Sequence, residues 1–233
     1  MIEIEELKYR RNNSPGVDYL ENIKLMVFDM DGVLLKNRNS WDVIINRSLH
    51  KINREKGMKY TFDYVYENGL PHRLYENLTE TKIRTYLNLN DVSSNILRTI
   101  EYLKSRKIKT AIVSAGSHIF AGYLSDLFNI DEYIGNEVDV QNHSFIKNVD
   151  PAKKDLNVKS IQAKYRILPA ETVSVGDSFM DLSMKKKSKY FVAFNPGTQK
   201  LNGASDFIVN STNLYEIIEQ MTREKSENKI FNN

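Results

Sequence analysis

The stretch LMVFDMDGVLL, residues 25–35, decides how the rest of the chain is read. A run of apolar residues ends in two aspartates, Asp29 and Asp31, followed by Gly32 and more apolar residues. The run has the length and continuity of a strand buried on both faces. A carboxylate at the end of such a strand is costly unless something pairs with it. The two aspartates are therefore either solvated turn residues or the start of a charged site.

Outward from this stretch, three more short apolar runs appear: KTAIVS (109–114), TVSVGD (172–177) and YFVAF (190–194), with a weaker fifth, DFIV (206–209). Between them lie the helical patterns SSNILRTIEYLKSRK, HIFAGYLSDLFN and AKKDLNVKSIQAKYR. Such alternation predicts an α/β fold with a doubly wound, Rossmann-like parallel sheet. YIGNEVDVQNHSF reads as an irregular stretch or a hairpin.

The expected division is an N-terminal arm over 1–22, a core over 23–35 and 91–222, and a tail over 223–233. Residues 36–90 lack a strand pattern and form a small helical insertion after the first strand. Within it, Ser40 is a plausible N-cap and Gly57 a plausible stop for SWDVIINRSLHKINREKG, and Thr79 a possible cap for LTETKIRTYLNL. Trp41, Tyr60 and Tyr66 read as packing residues of the insertion. Asn213 and Glu216 have capping-box spacing at the last helix.

Composition narrows the function. The 233 residues carry no cysteine, which removes disulfides, thiolate zinc sites and thiol catalysis. A net charge of +3 gives no argument for nucleic acid as a partner. The four histidines, His50, His72, His118 and His143, lack metal-ligand spacing and read as surface or packing residues. No stretch reaches the roughly 18–20 apolar residues of a membrane span, and the charged opening has no signal-peptide core. A cytoplasmic protein is expected.

Ligands of open α/β sheets bind beyond the carboxyl ends of the strands. There the apolar runs end in Asp29 and Asp31, in Ser114, and in Asp177, with Asp181 four residues on. Were these strands neighbours, up to four carboxylates and a hydroxyl would share one crevice, and they could not all stay ionised without a cation. Oxygen ligands of this kind suit Mg²⁺ with substrate phosphate. Backbone N–H groups near Gly32, Ala115 and Gly116 could cradle a phosphoryl group. Lys153 or Lys154, in DPAKKDL, could balance its charge.

In order, DMDGV, VSAGS, a lysine and GDSFMD resemble the four motifs of the haloacid dehalogenase-like hydrolases, in their phosphoserine-phosphatase-like branch. The resemblance spans about residues 23–210. It implies a Mg²⁺-dependent hydrolase of small phosphomonoesters with a cap domain at 36–90. Asp29 would be the nucleophile, Asp31 the general acid and then base. Mg²⁺ would be held by the Asp29 carboxylate, the Asp31 backbone carbonyl and Asp177, with Asp181 supporting them. Ser114, Ala115 and Gly32 would bind phosphate. Ungapped matching assigns the lysine to Lys154, with Lys153 second. Where the phosphoserine enzymes place a Glu about nine residues beyond the nucleophile, this chain has Arg38, which would disfavour an ammonium and suit an acidic or sugar-like leaving group. The alternatives are a phosphomutase of the same superfamily and, further off, a phosphoaspartate signalling or binding protein.

Overall fold

In the computed structural model, which describes residues 17–36, 39–56, 79–139 and 144–222, Leu25–Phe28 form the fully buried strand β1. It lies parallel to and between β2 (Lys109–Ser117) and β5 (Thr172–Gly176), with Phe28 level with Ile112 on one side and Val175 on the other. Beyond β2 runs β3 (Glu132–Asp139), parallel to it, and β4 (Ser144–Ile146) closes that edge antiparallel. Beyond β5 run β6 (Tyr190–Phe194) and β7 (Phe207–Val209), both parallel. The order is β4-β3-β2-β1-β5-β6-β7. The chain reverses its direction of winding beside β1, which opens a crevice at the carboxyl ends of β1, β2 and β5.

Successive residues of β1 point to opposite faces, and both faces find a hydrophobic layer. Met26 and Phe28 join Ile96, Ile100 and Leu103 of helix α3 (Ile96–Ser105) and Phe120 and Leu124 of α4 (His118–Phe128). Ile217, Ile218 and Met221 of α8 (Glu216–Thr222) belong to the same cluster. Leu25 and Val27 pack with Val158 and Ile161 of α5 (Lys154–Tyr165) and Met184 of the short α6 (Leu182–Lys185). Leu201 of α7 (Gln199–Ala204) completes that second layer. The doubly wound α/β architecture expected from the alternating runs is present. Among the described residues no helix is long and apolar enough to cross a membrane.

Several details differ from the sequence reading. YIGNEVDVQNHSF, read as an irregular stretch or a hairpin, supplies the antiparallel pair β3 and β4, as the hairpin reading expected, but β3 also pairs parallel with β2 and so extends the main sheet. Residues 17–22, read as the end of an arm, pack on the core: Leu20 is buried, and the Tyr19 N–H donates to the Met221 carbonyl at 2.8 Å. In the insertion, helices α1 (Ser40–Lys56) and α2 (Glu80–Arg84) are described, and their Ile44 and Ile83 enter the Phe28 cluster. Gly57, Tyr60, Tyr66 and His72 lie outside the described residues, as do Arg38, His143, residues 1–16 and the tail 223–233. Thr79 precedes α2 without a capping side-chain bond. Glu216 accepts from the Ser211 hydroxyl at 2.7 Å instead of reaching back to Asn213.

Phe28 is wholly buried in the central strand. Phe28→Ala should therefore lower unfolding free energy by about 3–5 kcal/mol, read from the urea midpoint at unchanged slope.

Candidate active site

The hydrogen bonds of β1 end where its chemistry begins. The Asp29 N–H still donates to the Val175 carbonyl at 2.9 Å, so the nucleophile candidate is the last residue tied into the sheet. The chain then turns, with Val33 and Leu35 both donating to the Met30 carbonyl. Gly32 takes φ +81° in this turn, and a Cβ on it would sit 2.2 Å from Asp177 Oδ2. Glycine here serves two ends: it allows the left-handed backbone and lets the Asp177 carboxylate lie against the aspartate turn.

A cavity of about 360 Å³ opens at this place, lined by Asp29, Asp31, Ser114, Ala115, Lys154 and Asp177 among others. Six of the residues singled out in the sequence thus come together from three neighbouring strand ends and the start of α5. Asp181 lies buried beside them, with Asp29 and Asp177. Lys154 is buried, with its Nζ 3.0 Å from Asp29 Oδ1 and 2.6 Å from Asp181 Oδ1. Lys153 points to solvent, its Nζ 3.6 Å from Asp150.

The two lysines differ because a turn over Pro151–Lys153, capped by the Asp150 side chain, precedes α5. Lys154 is the first residue of α5 itself.

Each carboxylate has its own bonding state. Asp181 is saturated: Oδ1 accepts from Lys154, and Oδ2 accepts from the Asp177 N–H, the Ser178 N–H and the Ser178 hydroxyl at 2.7–3.1 Å. It braces the loop that carries Asp177. Asp29 Oδ1 accepts from Lys154 and from the Met30 N–H at 2.8 Å. Burial, then the Asp181 charge, raise the Asp29 pKa well above 3.8, against the pull of Lys154 and with Asp31 adding to the rise. Burial works to lower the Lys154 pKa, but Asp29 and Asp181 outweigh it and hold the ammonium charged.

The buried aspartates thus outnumber the one lysine, and a divalent cation on hard oxygens fits that imbalance. Asp29, Asp177 and Asp181 offer oxygens within 4.8 Å of one another. Since both Asp181 oxygens are engaged, Asp29 and Asp177 are the carboxylates suited to hold the ion directly.

Asp31 stands apart. Burial raises its pKa to about 6, opposed by hydrogen bonds from the Ser40 backbone and side chain. Asp31 Oδ1 is closed off from solvent and has no hydrogen-bond partner among the described residues. An acid titrating near neutrality can both give and take a proton.

On β2, Ser114 Oγ accepts from the Gly116 N–H at 3.1 Å. That uses the Gly116 donor expected to face phosphate, and leaves the Ser114 hydroxyl proton free to point elsewhere. The Ala115 carbonyl is pinned by Asn136 Nδ2 at 2.9 Å and Trp41 Nε1 at 3.1 Å.

Five contributors escaped the sequence reading. Asn136 exchanges bonds with the Val149 backbone as well as holding Ala115, so β3 braces both the Ser114 loop and the approach to Lys154. No motif marks it; its burial at a polar strand end is visible only in three dimensions. Trp41, read as a packing residue of the insertion, does pack on the core but also lines the cavity, as do Asn39 and Met180. Ser40, read as a helix cap, bonds Asp31 instead. Asn39 does the capping, accepting from the Trp41 and Asp42 N–H groups.

With this geometry in view, comparison with known proteins adds the following. The model of the haloacid dehalogenase-like hydrolase family matches residues 23–188. A phosphoserine phosphatase of Idiomarina loihiensis is 28% identical over 204 residues, covering 83% of this chain and 91% of the relative. One of Methanocaldococcus jannaschii is 25% identical over 206 residues, covering 84% and 96%. A solved structure of a phospho-aspartyl intermediate analogue of phosphoserine phosphatase superposes with TM-score 0.66 at 23% identity, covering 85% of this chain and 99% of that one.

Two outcomes follow from the charges. Lys154→Met leaves Asp29 and Asp181 facing each other without their cation, and should cost about 3–5 kcal/mol of stability in metal-free buffer, measured by urea unfolding in EDTA. A carboxyl whose folded pKa lies above its unfolded value stabilises fully below the unfolded value and loses that contribution as pH rises through the folded one. For Asp31 that window runs from 3.8 to about 6. Stability of the metal-free protein relative to Asp31→Asn should fall by up to ~3 kcal/mol across it, checked by paired unfolding curves at pH 4 and pH 7.

Proposed function

The chain belongs to the haloacid dehalogenase-like hydrolases, and within them we propose that it is a Mg²⁺-dependent phosphomonoester hydrolase acting through an aspartyl-phosphate on Asp29. The observation that carries this reading is the pairing of two differently held carboxylates in one cavity. Asp29 is bound to Lys154 at 3.0 Å, and Asp31 is a half-buried acid whose pKa desolvation raises to about 6. Burial raises both pKa values; Asp29 has the Lys154 ammonium in contact to favour the ionised form a nucleophile needs, and Asp31 titrates near neutrality, where a proton shuttle can give and take a proton.

The residues divide the reaction as follows. Asp29 attacks phosphorus in line, and the bond to the ester oxygen breaks. Asp31 gives its proton to that oxygen, and the alcohol leaves. The Asp31 carboxylate then takes a proton from the water that attacks the aspartyl-phosphate. Inorganic phosphate departs, Asp29 is restored as carboxylate and Asp31 is again protonated. Lys154 neutralises charge on the transferring group, while the Ser114 hydroxyl, the Ala115 N–H and the turn at Gly32 hold its oxygens. Asp29, Asp177 and the Asp31 carbonyl would hold Mg²⁺, which supplies electrostatic stabilisation of the phosphoryl oxygens. Asp181 keeps Lys154 and the Asp177 loop in place.

The substrate class we infer is a small phosphorylated metabolite of the cytoplasm, enclosed by a cap formed from residues 36–90. Similarity to phosphoserine phosphatases over most of both chains supports an amino-acid or similarly small alcohol as leaving group. Around the cavity, the described acidic residues are Asp29, Asp31 and Asp177 themselves, and the remaining lining includes Trp41, Pro151 and Met180. No separate carboxylate for an ammonium group stands among them. Phosphoserine therefore belongs in a panel with sugar phosphates.

The test is phosphate release from that panel with Mg²⁺ and with EDTA. We expect release from one or a few esters, abolished by EDTA. Asp29→Asn should lower it on the order of 10⁴-fold or more, because an amide does not attack phosphorus. Release unaffected by EDTA, or an Asp29→Asn variant as active as wild type, would sink the mechanism. Phosphate returned to a sugar instead of to water would make the protein a mutase.

A further inference from the structure

Because Asn39 caps α1, the hydroxyl of Ser40 is not used by its own helix. Ser40 is wholly buried, and its bonds all lead to Asp31 and the end of β2. Its N–H donates to Asp31 Oδ2 at 3.1 Å, and its Oγ lies 3.0 Å from the same oxygen. Ser40 Oγ also accepts from the Ser117 N–H at 3.1 Å. A hydroxyl that accepts from an amide must turn its proton elsewhere, and here that is toward Asp31 Oδ2.

This arrangement distinguishes the two oxygens of the carboxyl. Oδ2 accepts two hydrogen bonds, the role of the carbonyl oxygen in a neutral acid. The neighbourhood is built around this contact. A Cβ on Gly116 would fall 2.4 Å from Ser40 Oγ and 2.6 Å from Asp31 Oδ2. The next residue, Trp41, fastens the same helical turn to the Ala115 carbonyl at 3.1 Å.

We infer that Ser40 is a positioning residue for the general acid: its amide and hydroxyl hold the Asp31 carboxyl by Oδ2 in one fixed orientation beside the end of β2, from which it gives its proton to the leaving oxygen. The inference rests on the phosphatase reading above and adds to it a residue from the inserted segment. Seating the first turn of α1 and readying the acid become one event.

Leaving-group chemistry separates this role from a structural one. An alkoxide cannot depart without a proton, whereas p-nitrophenolate can. The parameter to compare is kcat/KM, which covers steps up to phosphoryl transfer onto Asp29 and excludes the later water attack. The probes are p-nitrophenyl phosphate and an alkyl ester, phosphoserine or, if that is not taken, β-glycerophosphate.

For Ser40→Ala we expect kcat/KM on the alkyl ester to fall about 10- to 100-fold and on the aryl ester less than about 3-fold, a part of what a full general acid contributes. Ser40→Cys, nearly isosteric but a much weaker donor, should show the same selective loss and serves if the alanine variant does not fold. Equal losses on both esters, or none on either, overturn the inference. Failure of both variants to fold assigns Ser40 to the fold alone and also overturns it. Wild-type protein that releases phosphate from no ester of the panel, these two included, overturns the phosphatase reading, and the inference with it; a sugar phosphate that alone is taken serves as the alkyl ester.

Discussion

The ammonium of Lys154, held between Asp29 at 3.0 Å and Asp181 at 2.6 Å, is the interaction on which the rest of the site depends. It joins the first residue of α5 to the end of β1 and to the turn after β5. Take the cation away and two buried carboxylates face each other, a state that ordinary desolvation cost does not permit. The bridge also explains why Asp181, outside the cavity lining, matters: its second oxygen holds the Asp177 and Ser178 N–H groups and so shapes the loop that presents Asp177.

One lysine does not balance the aspartates around it, and that shortfall is informative. A fold that only needed to be stable would place apolar residues at these strand ends, which cost less to bury. Retaining the charges suits the proposed binding of a cation and a phosphate, whose charges would offset one another there. The glycines serve the same crowding. Gly32 admits the Asp177 carboxylate, Gly176 leaves room for Asp181, and Gly116 leaves room for Asp31 and Ser40. A Cβ at any of them would meet a functional side chain at under 3 Å.

The proposed acid, Asp31, is held differently from the proposed nucleophile, Asp29, because its neighbours differ. Asp29 is fixed by a cation, whereas Asp31 is fixed by the neutral donors of Ser40, which stabilise its carboxylate less than burial destabilises it. Those donors come from the inserted segment, while the described partners of Asp29, namely Lys154, Met30 and Val175, come from the core. In the proposed reaction the nucleophile and the acid therefore rest on two different parts of the chain.

The motif residues and the doubly wound α/β class were legible in the amino-acid order alone. Buried parallel strands read as near-continuous apolar runs, and a charged or hydroxyl-bearing residue that ends one is conspicuous. DMDGV, VSAGS and GDSFMD each show that break. What the sequence could not decide was anything set by side-chain direction across distant segments. Lys153 and Lys154 are neighbours in DPAKKDL, and only the turn before α5 sends one inward and the other to solvent. Ser40 had the residue type and place of a helix cap; tertiary structure turned its hydroxyl to Asp31 because Asn39 had taken the cap. Asn136 sits in a polar stretch with no motif, yet bridges two loops of the site, since a side-chain amide can bond whichever backbone the fold brings beside it. Local order determined which residues could do chemistry, and packing determined which of them meet, because hydrogen bonds and ion pairs depend on distances of about 3 Å that spacing along a chain does not encode.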